Sequence, residues 1–205
     1  MTPIYWQQAV TDLSLRDPIL HGLIQQFSEA ALEQRGDAFA TLVRAIVGQQ
    51  ISVKAAATVW ERICAALPEI TPQALMAVTP DLLRTCGLSA RKIDYLQDLA
   101  HHFQAGMFNQ STWHDQTDEE LIKQLICVKG IGRWTAEMFL IFHLHRPNVL
   151  PLDDIGLQRA VSIHYNDGHP LHRREIDAIA LNWQPWRSVA TWYLWRSLDP
   201  FPVVY

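Results

Sequence analysis

The residues with the clearest chemistry form one short stretch, Val128-Lys129-Gly130-Ile131-Gly132-Arg133, in which two glycines two apart stand between basic side chains. Before it, ELIKQLICV reads as an amphipathic helix, and after it RWTAEMFLIFH reads as a second, more apolar one. A chain reversing between packed helices needs φ values that side chains resist. Glycine supplies them and lets the backbone approach a partner closely. The first N–H groups of the second helix have no partner within it and point outward with the positive end of its dipole. Such an end can hold one phosphate. Lys129 and Arg133 add charge beside it and Thr135 opens the helix, so Lys129, Gly130, Ile131, Gly132, Arg133 and Thr135 form a candidate phosphate grip. The same glycines would also suit a purely structural pair of helices packed tightly together. The flanking basic residues favour a nucleic-acid backbone, which such contacts hold without reading its sequence.

Composition limits how that grip can work. The net charge of -4 argues against a protein that coats nucleic acid by bulk electrostatics, so any DNA contact is local. The three cysteines, Cys64, Cys86 and Cys127, lie far apart, match no metal-ligand spacing and cannot all pair with one another. They are expected as buried free thiols in a reducing cytoplasm. His101-His102 and His143-x-His145 lack helical metal spacing and read as surface or core residues. No apolar run is long enough to span a bilayer, and MTPIYWQQAV lacks the order of a signal peptide, so a soluble intracellular protein is expected. Of eight tryptophans, five (Trp134, Trp183, Trp186, Trp192 and Trp195) fall late in the chain, a hint of a stacking pocket although most buried Trp are core.

The elements that must position these residues read as helix after helix. Asp17-Pro18, Thr71-Pro72 and Thr79-Pro80 each set a capping side chain before a proline at the first helical position. Thr117-Asp118-Glu119-Glu120 is a capping box, and Ser89 can cap the next helix after Gly87 has ended the preceding turn. Apolar residues recur at helical spacing, as in Phe39, Leu42, Val43, Ile46 and Val47, or Ile93, Leu96, Leu99 and Phe103. Stretches such as Asn148-Val149 and Val203-Val204 are too short for strands, and the expected class is all-α. Chain breaks are expected at the turn around Arg35-Gly36 and in the loop HRPNVLPL. They would make 37–146 a central lobe with the hairpin, and 1–36 plus 147–205 a second lobe from both chain ends.

VKGIGRWTAEMF resembles the hairpin of the helix-hairpin-helix DNA glycosylase superfamily, and LPLDDIGLQRAV resembles that superfamily's aspartate segment. DAFATLVRAIVGQQISVKAA and WQPWRSVATWYLW are similar to the 3-methyladenine DNA glycosylase II branch in particular, here in a compact form without that branch's N-terminal β-rich domain. The resemblance implies two helical lobes with the active site in the cleft between them. It implies a partner too: double-stranded DNA with damaged bases, met by a monomer in the cytoplasm, at the bacterial nucleoid. Lys129 departs from the family's usual proline.

The family alignment makes Asp154 the catalytic carboxylate, stabilising positive charge that develops on the sugar as the base departs and orienting the attacking water. Asp153 is left to cap the following helix. Trp134 stands where strand-nicking members carry a Schiff-base lysine, which implies a monofunctional enzyme that leaves an abasic site. Trp134 and Trp195 match aromatic base-pocket positions, suited to a cationic alkylated purine. Met138 falls there too, where the branch often has tyrosine. Gln50 matches the wedge that replaces the flipped base, while Lys54, Arg91 and Lys92 are candidate contacts to flanking phosphates with solvated surface as the default. No iron-sulfur cysteine set and no metal site is expected, apart from a monovalent cation on the hairpin carbonyls when DNA is bound. The rival readings are a glycosylase for another lesion and a non-catalytic DNA-binding module.

Overall fold

A computed structural model describes residues 2–28, 31–32 and 36–198, without the side chain of residue 53. The described residues are helical with no strand. In chain order the helices are α1 Trp6–Arg16, α2 Pro18–Gln26, α3 Ala38–Gly48, α4 Val53–Ala66, α5 Pro72–Ala77, α6 Pro80–Thr85, α7 Ala90–Gln104, α8 Asp118–Leu125, α9 Arg133–Phe142, α10 Ile155–Tyr165, α11 Arg173–Ala180 and α12 Arg187–Leu198, with 3-10 turns at Gln110–Asp115 and Leu181–Trp183. None of them is long and apolar enough to cross a membrane.

The helix starts are set by short side chains that accept N–H groups the helix leaves unpaired, each contributing about 1 kcal/mol. Asp17 accepts from Ile19 and Leu20 ahead of α2. Thr71, Thr79 and Ser89 accept from Ala74, Leu82 and Lys92. Thr117 and Glu120 close the capping box of α8. Gly87, at φ 100°, turns the chain between α6 and Ser89.

The chain divides into two compact units, one of Met1–Gln34 with Leu140–Val203 and the other running from Arg35 to Phe139. The division falls inside α9, upstream of the 146/147 boundary drawn from sequence. The other expected boundary, at Arg35-Gly36, lies partly outside the described residues, as do Val203-Val204 and 199–205 as a whole.

In the hairpin unit, α3 buries Phe39, Leu42, Val43, Ile46 and Val47, the residues its periodicity selects. It packs on α4 and α7, and α7 brings Ile93, Leu96 and Leu99 to the same core. In the other unit α12 is buried from Ser188 to Trp195 on every side. A helix apolar all round belongs in an interior, and α1, α2 and α10 cover this one. Trp6 meets Trp192 edge-on at 5.2 Å between ring centres. The cysteines correct one expectation: Cys86 is buried, but Cys64 and Cys127 are exposed, because each sits on the side of its segment turned away from the core.

Candidate active site

The hairpin turn runs from the end of α8 to the start of α9. Val128 and Ile131 anchor it in the core, and the Ile131 N–H closes it on the Val128 carbonyl at 3.1 Å. Its two glycines divide the work that a single motif suggested. Gly130 sits at φ 80°, and a Cβ there would lie 2.1 Å from Cδ2 of Tyr95. Gly132 has nothing within 4 Å of the place a Cβ would occupy, so its backbone is open to an approaching group. Ile131 and Thr135 are buried, and the Ile131 N–H is spent on Val128, so of the two only the Thr135 N–H, in the first turn of α9, can face an incoming group.

The basic residues beside the turn are already engaged. Arg133 binds Glu119 through both terminal nitrogens and Glu137 through Nε at 3.0 Å. The guanidinium hydrogen bond holds the Glu119 carboxyl below its ordinary range, and the same bond pushes Arg133 up. Lys129 places Nζ 3.4 Å from Asp94 and donates its backbone N–H to Asp98 at 2.9 Å. Any anion approaching this turn would compete with those carboxylates for both cations.

Trp134 and Met138 stand one turn apart on α9 and so share a face; Trp134 is half-buried and Met138 buried. Gln50 is exposed and adopts a left-handed backbone at φ 58°. The side chain of Gln49 donates to the Gly130 carbonyl at 2.8 Å. Lys92 corrects another expectation, because its Nζ donates to the carbonyls of Val47 and Gln49 at 2.7 and 2.8 Å and is neither a solvated surface charge nor turned to a phosphate. Burial lowers its pKa.

In the other unit Asp154 is buried, 7% exposed, at the start of α10. Its Oδ1 accepts the Leu157 N–H at 2.6 Å and the Trp195 indole N–H at 2.7 Å. The Trp195 ring stacks on Phe142, with centroids 5.8 Å apart and planes 13° from parallel. Gly156 makes room for this: a Cβ there would be 3.0 Å from Asp154 Oδ1 and 3.2 Å from Trp195 Cδ1. The capping role expected of Asp153 therefore belongs to Asp154. The Asp154 N–H closes a turn on the Pro151 carbonyl and its own backbone is extended, so Asp154 is the last residue before the helix and Asp153 comes one residue too early. Asp153 instead pairs with Arg173.

The sequence pattern of the HhH-GPD superfamily of base excision DNA repair proteins matches residues 43–185, which include the hairpin and Asp154. The chain belongs to this superfamily. Within the HhH-GPD proteins, the chain is 33% identical over 172 residues to DNA-3-methyladenine glycosylase 1 of Schizosaccharomyces pombe, spanning 80% of this chain and 74% of that one. Among solved structures it is similar to the 3-methyladenine DNA glycosylase of the same yeast in complex with abasic DNA, at 29% identity and a TM-score of 0.81 over 95% of this chain and 99% of that one. It is similar also to a DNA-3-methyladenine glycosidase from Bacillus halodurans, at 32% identity and a TM-score of 0.82 over 93% and 89%. The HhH-GPD match ends before Trp195, whose bond to Asp154 only the folded chain reveals.

Among the described residues no group of three His, Cys, Asp or Glu side chains could hold a metal ion. The hairpin carbonyls of Val128 and Gly130 accept hydrogen bonds from Ile131 and Gln49, so a cation there would share oxygens that already have a donor.

Proposed function

We propose that this chain is a monofunctional DNA glycosylase, a hydrolase of N-glycosyl bonds that flips alkylated, cationic purines such as 3-methyladenine out of double-stranded DNA and leaves an abasic site for base excision repair. The observation that carries the reading is Asp154, a buried carboxylate held through Oδ1 by the backbone of α10 and the Trp195 indole. A fixed anion of this kind stabilises an oxocarbenium-like sugar more than the neutral nucleotide, and that difference lowers the barrier. The N-glycosidic electron pair leaves with the base, and a water oxygen bonds to the anomeric carbon and gives up its proton.

The remaining residues take roles around that step. The open backbone at Gly132 and the start of α9 hold a phosphate, assisted by Lys129 and Arg133 once their carboxylate partners yield. Trp134, Met138 and Trp195 are assigned to the base by the family resemblance, and an indole face attracts a cationic purine by roughly 0.5 to 2 kcal/mol. Gln50 enters the duplex in place of the flipped base. Trp134 offers no amine for a Schiff base, so the strand stays intact. The protein acts as a monomer, and the bacterial cytoplasm, at the nucleoid, suits its unpaired thiols.

Release of free bases from methylated DNA, resolved by chromatography, tests the reading. Alkylated purines should appear with the wild-type chain and not with Asp154→Asn, while both bind the duplex. Borohydride should trap no adduct. Binding without base release by the wild type would instead identify a non-catalytic docking module.

A further inference from the structure

Four residues on one side of α7 reach the two loops that the proposed function assigns to DNA. Tyr95 covers Gly130 so closely that no side chain fits there. Asp94 and Asp98 hold Lys129. Lys92, at the start of the same helix, donates to the carbonyls of Val47 and Gln49, the last groups before Gln50. Gln49 then ties this loop to the hairpin by donating to the Gly130 carbonyl.

Gln50 itself carries a φ of 58°, a conformation that a non-glycine residue keeps only where its surroundings over-determine it. The constraint is visible in the three residues before it. The carbonyls at the end of α3 lack helical partners and would ordinarily turn to water. Lys92 gathers two of them with one half-buried ammonium, and charge-assisted bonds of this kind are stronger than neutral ones. The Gln49 side chain is drawn toward the hairpin, so the chain must turn sharply at 50, and the Gln50 side chain is left exposed.

We infer that Lys92 is a positioning residue for the DNA wedge: with Gln49, it holds Gln50 in its left-handed conformation and fixes it in register with the phosphate-binding hairpin. The inference rests on the reading of Gln50 as the wedge. Its energetic meaning is preorganisation. A wedge already fixed relative to the phosphate grip loses little conformational freedom when it enters the duplex, whereas a free loop must be ordered at that moment.

The test measures insertion directly and needs no excision. Affinity is compared for a duplex with a tetrahydrofuran abasic analogue, which offers a gap, and for the same duplex undamaged; 2-aminopurine opposite the gap reports entry of the wedge by fluorescence. Lys92→Met keeps length and removes the ammonium. It should cut the preference for the abasic duplex by at least about tenfold, the scale of one lost bond to a charged donor, and abolish the 2-aminopurine response, with undamaged-duplex affinity within about twofold of wild type because no phosphate contact is lost. Gln50→Ala should do the same, and the double variant should be no worse than Gln50→Ala alone, since one residue acts through the other. Gln49→Leu, which leaves Lys92 in place, gives a second, independent route to the same loss should Lys92→Met fail to fold. Additive losses, or equal losses on both duplexes, would make Lys92 a general contact or a mere prop and overturn the inference. If Gln50→Ala changes the preference but Lys92→Met and Gln49→Leu do not, the wedge reading stands and this inference falls. If Gln50→Ala itself leaves the preference intact, both fall.

Discussion

Two buried aspartates in the same unit, Asp17 and Asp154, begin helices in the same way, and the HhH-GPD match at residues 43–185 contains only the second. Asp17 Oδ1 accepts the N–H groups of Ile19 and Leu20, and its Oδ2 accepts the Tyr165 hydroxyl at 2.7 Å and the Trp183 indole at 3.1 Å. Asp154 also pairs a backbone N–H with an indole N–H, but both donors reach Oδ1. Burial, capping and an indole partner are thus common to both and do not by themselves mark a reactive group. What separates them is where they stand: Asp17 spends both oxygens on Ile19, Leu20, Tyr165 and Trp183, whereas Asp154 lies inside the HhH-GPD match, with Gly156 keeping the space beside its Oδ1 clear of a side chain.

Asparagine can keep the two Oδ1 bonds of Asp154 with its amide carbonyl, whereas at Asp17 one of two accepting oxygens becomes an amide N–H₂. Asp154→Asn should therefore keep both Oδ1 bonds and fold, while single-turnover base release falls on the order of 10²–10³-fold, the scale of losing one preorganised charge group. A melting temperature that drops with activity would make Asp154 another structural cap. Asp17→Asn places an amide N–H₂ against the Trp183 donor and should cost about 2–3 kcal/mol in urea unfolding; excision per folded molecule should hold. The indoles sharpen the contrast further. Trp195→Phe should slow base release about tenfold with DNA affinity unchanged, the effect of one lost charge-assisted bond. Trp183→Phe should instead lower stability by about 2 kcal/mol with no change in rate. Tyr165→Phe is the mildest case, near 1 kcal/mol of stability and none of activity. Burial holds the Tyr165 hydroxyl protonated well above its ordinary range, so it stays a donor to Asp17 across the working pH.

What was legible in the sequence was local. A cap and the N–H groups it accepts lie two or three residues apart, so Asp17, Thr71, Thr79, Ser89 and Thr117 could be placed from their neighbours alone. The buried face of α3 was likewise readable from its period. Asp153 and Asp154 show the limit of this, because composition cannot say which of two adjacent carboxylates is the last before a helix; the turn closed on Pro151 decides it. The partners of Lys92 lie 43 and 45 residues away, and Arg133 meets Glu119 across 14. Nothing in the spacing of those residues records such contacts: sequence offers Arg133 to a phosphate and leaves Lys92 in solvent by default, whereas the one meets carboxylates and the other carbonyls.

The close packing of Tyr95 on Gly130 carries a consequence for how this sequence can change. With 2.1 Å between the tyrosine ring and a would-be Cβ, any side chain at 130 demands a smaller residue at 95, and a smaller residue at 95 removes the lid over the hairpin turn. Removing the ring would clear the space but not the φ of 80°, which side chains resist. A library that randomises 130 should therefore return glycine both with Tyr95 kept and with 95 randomised alongside it.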